Sequence, residues 1–159
     1  MSLTLNDISK ITMLTRMNDE LSEYTFDEIE IGLTKQFQIT ITESMVDDFA
    51  KLTGDFSPLH MDEDYASTTT FQKRIVHGEL LAAFLSRIVG MYLPGKHALD
   101  FSQSADFRHP CFIGDIITVS SIVIDKSPST KLLKIESKIT NQDGKILLSG
   151  IGRVIVRDD

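Results

Sequence analysis

The sequence predicts an α+β fold in which an antiparallel sheet wraps one long central helix, and three observations carry that prediction. The stretch from His77 to Gly95, HGELLAAFLSRIVGMYLPG, is apolar on nearly every side for about four turns, the pattern of a helix buried by the rest of the chain. After residue 100 the hydrophobic period changes from helical to two, as in strands that turn one face inward. Asp143-Gly144 then places a hairpin turn between the last two such segments and makes them antiparallel neighbours.

Taken in order, Met1 to Ser22 carries Ile8, Ile11, Leu14, Met17 and Leu21 at loosely helical spacing, with no turn chemistry to tie it down. Residues 1–24 therefore read as an N-terminal extension, in part a tag or disordered, and residues 25–159 as a single domain. Phe26 to Gly32 and Lys35 to Ile41 are predicted to be extended; in the second, Phe37, Ile39 and Ile41 alternate with Gln36, Gln38 and Thr40. Thr42 caps a helix with Met45, Val46, Phe49, Ala50 and Leu52 on one face, and Gly54 ends it. Pro58 keeps Ser57 out of the helical region, so Asp55 to Leu59 is a loop, and Asp62 to Ala66 is a short helix. The central helix opens at His77-Gly78 and closes at Leu93-Pro94-Gly95. Strands are predicted over Phe101 to Arg108, Asp115 to Ile124, Leu133 to Thr140 and Lys145 to Arg157, with Leu133, Ile135, Ser137 and Ile139 opposing Lys134, Glu136, Lys138 and Thr140.

The 159 residues, 42% hydrophobic, supply one domain with a core. Glu79 and Arg87 interrupt the best apolar run, which excludes a membrane span of the usual length of about 18 residues. A lone Cys111 excludes an intramolecular disulfide and suits a reducing compartment, and no leader pattern precedes the domain, so a cytoplasmic location is expected. The net charge of −7, from 16 basic and 23 acidic residues, disfavours nonspecific nucleic-acid or anionic-membrane binding. An anionic small molecule needs only a local cluster of Lys or Arg.

Candidate chemistry lies at the entry to the central helix and just upstream. Asp55 and His60 bracket a Pro-containing turn, so a carboxylate and a near-neutral imidazole can converge to hold a water and move protons. Taken alone, each has a blander reading, a helix-end cap for the Asp and a structural role for the His. Gly78, without a Cβ and at a helix start, can bring its N–H close to a carbonyl oxygen where negative charge develops; the alternative is a tight helix entry. His77 is read as ordering the loop by hydrogen bonding, and it and Ser57 are also candidate substrate-binding residues. His60, His77 and Asp62 form the only metal set to weigh, and they lack helical His spacing and a cysteine, so no metal site is expected. Cys111, beside Phe112 and Ile113, is read as a core residue. Phe84 and Val89 belong to the core and are candidates for an acyl-pocket wall, and Lys73, Arg74, Lys96 and Arg108 are candidates to meet phosphates.

Four blocks, GDFSPLHMDEDYA (54–66), FQKRIVHGELLAAFLS (71–86), LPGK (93–96) and FRHPCFIGD (107–115), resemble in order and spacing the MaoC-like, (R)-specific enoyl-CoA hydratase family. The likeness covers roughly residues 35 to 157. It implies a hot-dog fold, usually a homodimer whose sheets join. It also implies hydration of a trans-2-enoyl thioester of coenzyme A or acyl carrier protein, with no metal or redox cofactor. Carried over by the resemblance, Asp55 and His60 match the catalytic pair, Gly78 the thioester-oxygen donor, and Ser86 a serine lining the site. The chain departs from the family pattern in having Ser57 in place of Asn, Glu79 where many members have Met, and His97 where glycine is frequent. A thioesterase on the same scaffold, or a noncatalytic acyl-thioester binding module, are the alternative expectations.

Overall fold

The computed structural model describes residues 20–159, so the helical spacing read over Ile8 to Met17 lies outside the described residues. The first strand, β1 (Thr34–Thr40), turns Phe37 inward, with half-buried Lys35 and Ile39 on the same face. Helix α1 (Glu43–Thr53) has both of the caps predicted for it. Thr42 Oγ1 accepts the Met45 N–H at 3.3 Å, and Gly54, left-handed at φ 80°, donates its N–H to Ala50 O. Two short helices follow: α2 (Pro58–Met61) and α3 (Glu63–Ser67), the latter capped by the Asp62 carboxylate on Tyr65 N–H.

The central helix α4 (Gly78–Arg87) runs into a π-helical turn, Ile88–Tyr92, and Leu93 is already extended. It is not buried all round. Leu80, Leu81, Leu85, Ile88 and Val89 face the core, while Glu79, Ala83, Ser86 and Gly90 form an exposed stripe. Small residues on that outer face blur the amphipathic contrast in the sequence.

The remaining strands are β2 (Ala98–Gln103), β3 (Asp106–Phe107), β4 (Ile116–Ser127), β5 (Leu132–Thr140) and β6 (Ile146–Val156). They form one antiparallel sheet in the order β1-β4-β5-β6-β2, with β3 also on β6. The strand predicted over Phe101 to Arg108 is thus broken in two. The break is where Ser104 crosses Gly150 so closely that a Cβ there would lie 2.0 Å from Ser104 O. Alternate residues of β4, β5 and β6, among them Ile117, Val119, Leu133, Ile139 and Leu147, are fully buried and join Ile88 of α4 in the core. On the same face, directly opposite in register, Ser121 and Ser137 share a buried hydroxyl–hydroxyl hydrogen bond of 2.7 Å.

Two boundaries differ from expectation. Phe26 to Gly32 forms turns, not a strand: Phe26 and Ile29 are buried, and the Lys126 ammonium takes the carbonyls of both, so they need no strand partner. The domain also begins before residue 25. Ser22 N–H donates to Met91 O at 2.9 Å, Ser22 O accepts from Lys96 N–H at 2.9 Å, and Tyr24 N–H donates to Pro94 O at 3.2 Å. Among the described residues, no helix is long and apolar enough to cross a membrane.

Candidate active site

The site is built where α1 ends, α2 turns and α4 begins. The left-handed cap at Gly54 stops α1 and turns the chain, so that Asp55 leaves the helix end. The Asp55 carboxylate closes a local turn by accepting Ser57 N–H on Oδ1 at 3.1 Å. Ser57 precedes α2 with no side-chain cap bond; its carbonyl accepts from His60 N–H at 2.9 Å and Met61 N–H at 3.1 Å.

His60 is fixed by its ring. Nδ1 lies 2.8 Å from Ile75 O, and a carbonyl can only accept, so Nδ1 carries the hydrogen and Nε2 of the neutral ring keeps the lone pair. By the same logic His77, only 1% exposed, donates from Nε2 to Asp55 O at 3.0 Å. Its Nδ1 is then a buried acceptor without a partner among the described residues. The His77 ring is sandwiched, 4.1 Å from the His60 ring and 5.0 Å from that of Phe49 between centroids. His77 therefore holds the Asp55 backbone and packs on His60.

One carboxylate oxygen of Asp55 and one nitrogen each of His60 and His77 lie within 4.8 Å of one another. Among the described residues these three, not the set containing Asp62, are the ones whose atoms could surround an ion, since the Asp62 carboxylate is spent on capping α3. In both imidazoles one ring nitrogen is already committed to a backbone carbonyl.

His60 and Gly78 line a common, mostly apolar cavity of about 380 Å³ with Phe71, Leu81, Phe107 and Cys111 among its walls. Gly78 is the first residue of α4, where backbone N–H groups have no intrahelical acceptor and the helix dipole is positive. A Cβ there would sit 2.9–3.1 Å from three carbons of the Phe107 ring, so any larger residue would have to push that ring aside. His60 thus lines a pocket whose wall also carries Gly78, while the half-exposed Asp55 carboxylate lies beside His60 and His77 and is not part of that lining.

Other sequence assignments fall elsewhere. Phe84 packs edge-on against Phe37 at 6.4 Å, and Val89 is buried in the core, so neither lines the cavity. Spacing alone could not separate core wall from pocket wall. Ser86 lies on the exposed stripe of α4, eight residues or about 12 Å along the helix from Gly78, and also lies outside the cavity. Glu79 shares that stripe, so it is not a pocket-lining anion. His97 bonds Asp159 O at 3.1 Å and does not border the cavity. Of the four candidate phosphate ligands, only Arg108 borders it; Arg74 is buried among acids, Lys96 pairs with Glu23 at 3.0 Å, and Lys73 lies over the Phe112 ring at 4.2 Å. Sequence reasoning missed Phe71, Phe107 and Pro110 as cavity walls, because strands and loops distant in sequence bring them there.

Buried Cys111 at the cavity wall has its thiol pKa pushed up to about 12, chiefly by desolvation and further by the Asp115 carboxylate. It remains a thiol and is not a nucleophile at neutral pH.

A helix wrapped by an antiparallel sheet, with an acid–imidazole cluster beside a cavity at the helix start, defines the class, and the model of the MaoC like domain matches residues 27–143. The chain belongs to the MaoC-like family. It is 38% identical over 138 residues to an (R)-specific enoyl-CoA hydratase of Rhodospirillum rubrum, covering 87% of this chain and 95% of that protein. It is 36% identical to a 3-hydroxybutyryl-CoA dehydratase of Methylorubrum extorquens, covering 82% and 83%. Among solved structures, an unliganded R-hydratase from Pseudomonas aeruginosa superposes with a TM-score of 0.83 at 29% identity, covering 87% of this chain and 89% of that one. The (R)-hydratase of Aeromonas caviae superposes at 0.79 and 33% identity, covering 81% and 98%. The fold is the hot-dog architecture of these hydratases.

Proposed function

We propose that this chain is an (R)-specific enoyl-CoA hydratase, a hydro-lyase that adds water to a trans-2-enoyl-CoA and, in reverse, dehydrates an (R)-3-hydroxyacyl-CoA. The observation that carries this reading is the proximity of the Asp55 carboxylate to the His60 ring, a ring that lines one cavity together with Gly78. A water held between Asp55 and the lone pair on His60 Nε2 gives its oxygen to the β-carbon. The pair takes one proton from that water and delivers one to the α-carbon, so atoms balance. Negative charge rises meanwhile on the thioester oxygen, where the Gly78 N–H, already oriented by the helix, stabilises the transition state more than the ground state. No metal or redox cofactor enters this chemistry.

The acyl chain would lie along the apolar wall formed by Leu81, Phe71 and Phe107; Arg108, on the same lining, would meet an anionic group of the carrier by exchanging its bonds to Asp106 and Ser149, each 3.0 Å. The chain would act as a homodimer: edge strand β2 leaves Leu99 51% and Phe101 67% exposed, a strand edge without a partner among the described residues that a second copy of this chain would cover. A reducing compartment such as the cytoplasm suits the lone thiol.

The test is loss of enoyl absorbance with crotonyl-CoA and longer trans-2-enoyl-CoAs, with chiral analysis of the product and a free-thiol assay alongside. Hydration without thiol release, giving the (R) product, is expected. Asp55→Asn and His60→Ala should each lower kcat by about 10²–10⁴, the usual worth of a general acid or base. Thiol release in place of hydration would establish a thioesterase, and unchanged kinetics in both variants would remove the pair from the mechanism.

A further inference from the structure

We propose that Arg74 is a positioning residue that sets the separation of Asp55 and His60 by clamping the first turns of α1, the helix whose far end delivers Asp55, to the turn carrying His60. Its kinetic readout rests on the hydratase reading; its structural readout does not. The Arg74 side chain is only 10% exposed and does not line the cavity, so it is not placed to touch substrate. Its planar fork is spent in three directions: Nε donates to His60 O at 2.5 Å, Nη1 to Glu43 Oε1 at 2.7 Å and Nη2 to Asp47 Oδ1 at 3.1 Å.

Glu43 and Asp47 are one turn apart on α1, the helix that delivers Asp55, whereas His60 O belongs to α2. The guanidinium therefore bridges the two segments that supply the two halves of the pair. The residue next to it completes the clamp. Ile75 O receives the His60 Nδ1 hydrogen at 2.8 Å, and Ile75 N–H donates to Leu59 O at 3.3 Å. The strap of residues 74–75 thereby grips His60 by its carbonyl and by its ring, and selects the tautomer that leaves Nε2 as acceptor. A lysine keeps the charge but, as a point donor on a flexible stem, cannot hold three acceptors in one plane.

The test compares Arg74→Lys and a Glu43→Gln/Asp47→Asn double variant, both assayed well below their melting temperatures. Arg74→Lys should lower kcat about 10²-fold, as expected for a displaced catalytic group, with KM within about threefold of wild type. The double variant, which loosens the anchor on α1 and leaves the guanidinium in place, should show a smaller loss in the same direction. In a His60→Ala background, Arg74→Lys should have no further effect on kcat, because its influence passes through His60. Equal fold-losses in both backgrounds, or a lowered melting temperature with intact kcat, would overturn the proposal and leave a merely structural residue.

Nitrogen-15 NMR of the imidazoles gives an answer that needs no turnover. Wild-type His60 should show the Nδ1–H tautomer, and Arg74→Lys a mixture of tautomers. An unaltered spectrum in the variant would overturn the clamp even if no enoyl thioester is hydrated. A changed spectrum with an inactive wild type would uphold the clamp and remove the hydratase reading alone.

Discussion

Replacing Gly78 with Ala tests the amide donor without removing it. The added Cβ would stand 2.9, 3.0 and 3.1 Å from three carbons of the Phe107 ring, against an ordinary contact of 3.4–4 Å. The ring must then retreat by roughly half an ångström. Phe107 is 51% exposed, so it can yield toward solvent, and the fold should lose only about 1 kcal/mol, the low end of overpacking costs. Activity should suffer more, since the new methyl and the displaced ring sit at the amide that the thioester oxygen must reach. A misplacement of this order predicts a fall in kcat/KM of about 10–10². The assay is loss of enoyl absorbance on crotonyl-CoA, with thermal melting in parallel. Phe107→Ala added to Gly78→Ala restores space and should recover a large part of the loss if the ring is what obstructs. A Gly78→Ala enzyme with wild-type kcat/KM and an unchanged melt would refute the placement of the oxyanion donor.

Two further expectations concern stability. Cys111 has its folded pKa raised from 9.0 to about 12, so above pH 9 the unfolded chain releases a proton that the fold retains. Stability should therefore fall between about pH 9 and 12, with a slope for this group approaching about 1.4 kcal/mol per pH unit, and the group contributes no slope below that window. Urea unfolding of wild type and Cys111→Ala across pH 8 to 11 should give converging curves, and parallel curves would sink the assignment. Gly95→Ala should cost about 2–4 kcal/mol, because φ is 86° and the Cβ would meet Ser22 O at 1.9 Å. Gly144→Ala, at φ 74° with nothing within 4 Å, should cost only about 1–2 kcal/mol for the left-handed backbone. Equal melting-point losses in the two would mean that the approach of Ser22 is not what demands glycine.

Local chemistry was legible in the chain, and contacts between distant segments were not. Thr42 and Gly54 announce their helix because a cap acts within four residues, and period two in β4 and β5 reports a face buried along its whole length. Phe26 to Gly32 misled because what satisfies its carbonyls is Lys126, about a hundred residues on. The same limit explains the site. Asp55, His60 and Gly78 could be named from turn and helix-start chemistry and from the family blocks, whereas Asp62, weighed as a ligand, has its carboxylate spent on the Tyr65 N–H three residues on, a cap as local as that of Thr42. Phe84 and Val89 share the apolar periodicity of pocket walls, and only the packing of the folded chain puts them among the core and Phe37, off the lining of this cavity. Arg74 looked like one more surface cation until Glu43 and Asp47, 31 and 27 residues away, came within reach.

The paired hydroxyls of Ser121 and Ser137 act as a registration key for the two central strands. Apolar rows slide past one another at little penalty, because one aliphatic neighbour replaces another. A slip of one residue between β4 and β5 would send these two oxygens to opposite sides of the sheet and strand whichever stayed inside, at about 1–3 kcal/mol for a buried group left unsatisfied. A polar blemish in a greasy layer thereby penalises misaligned sheets.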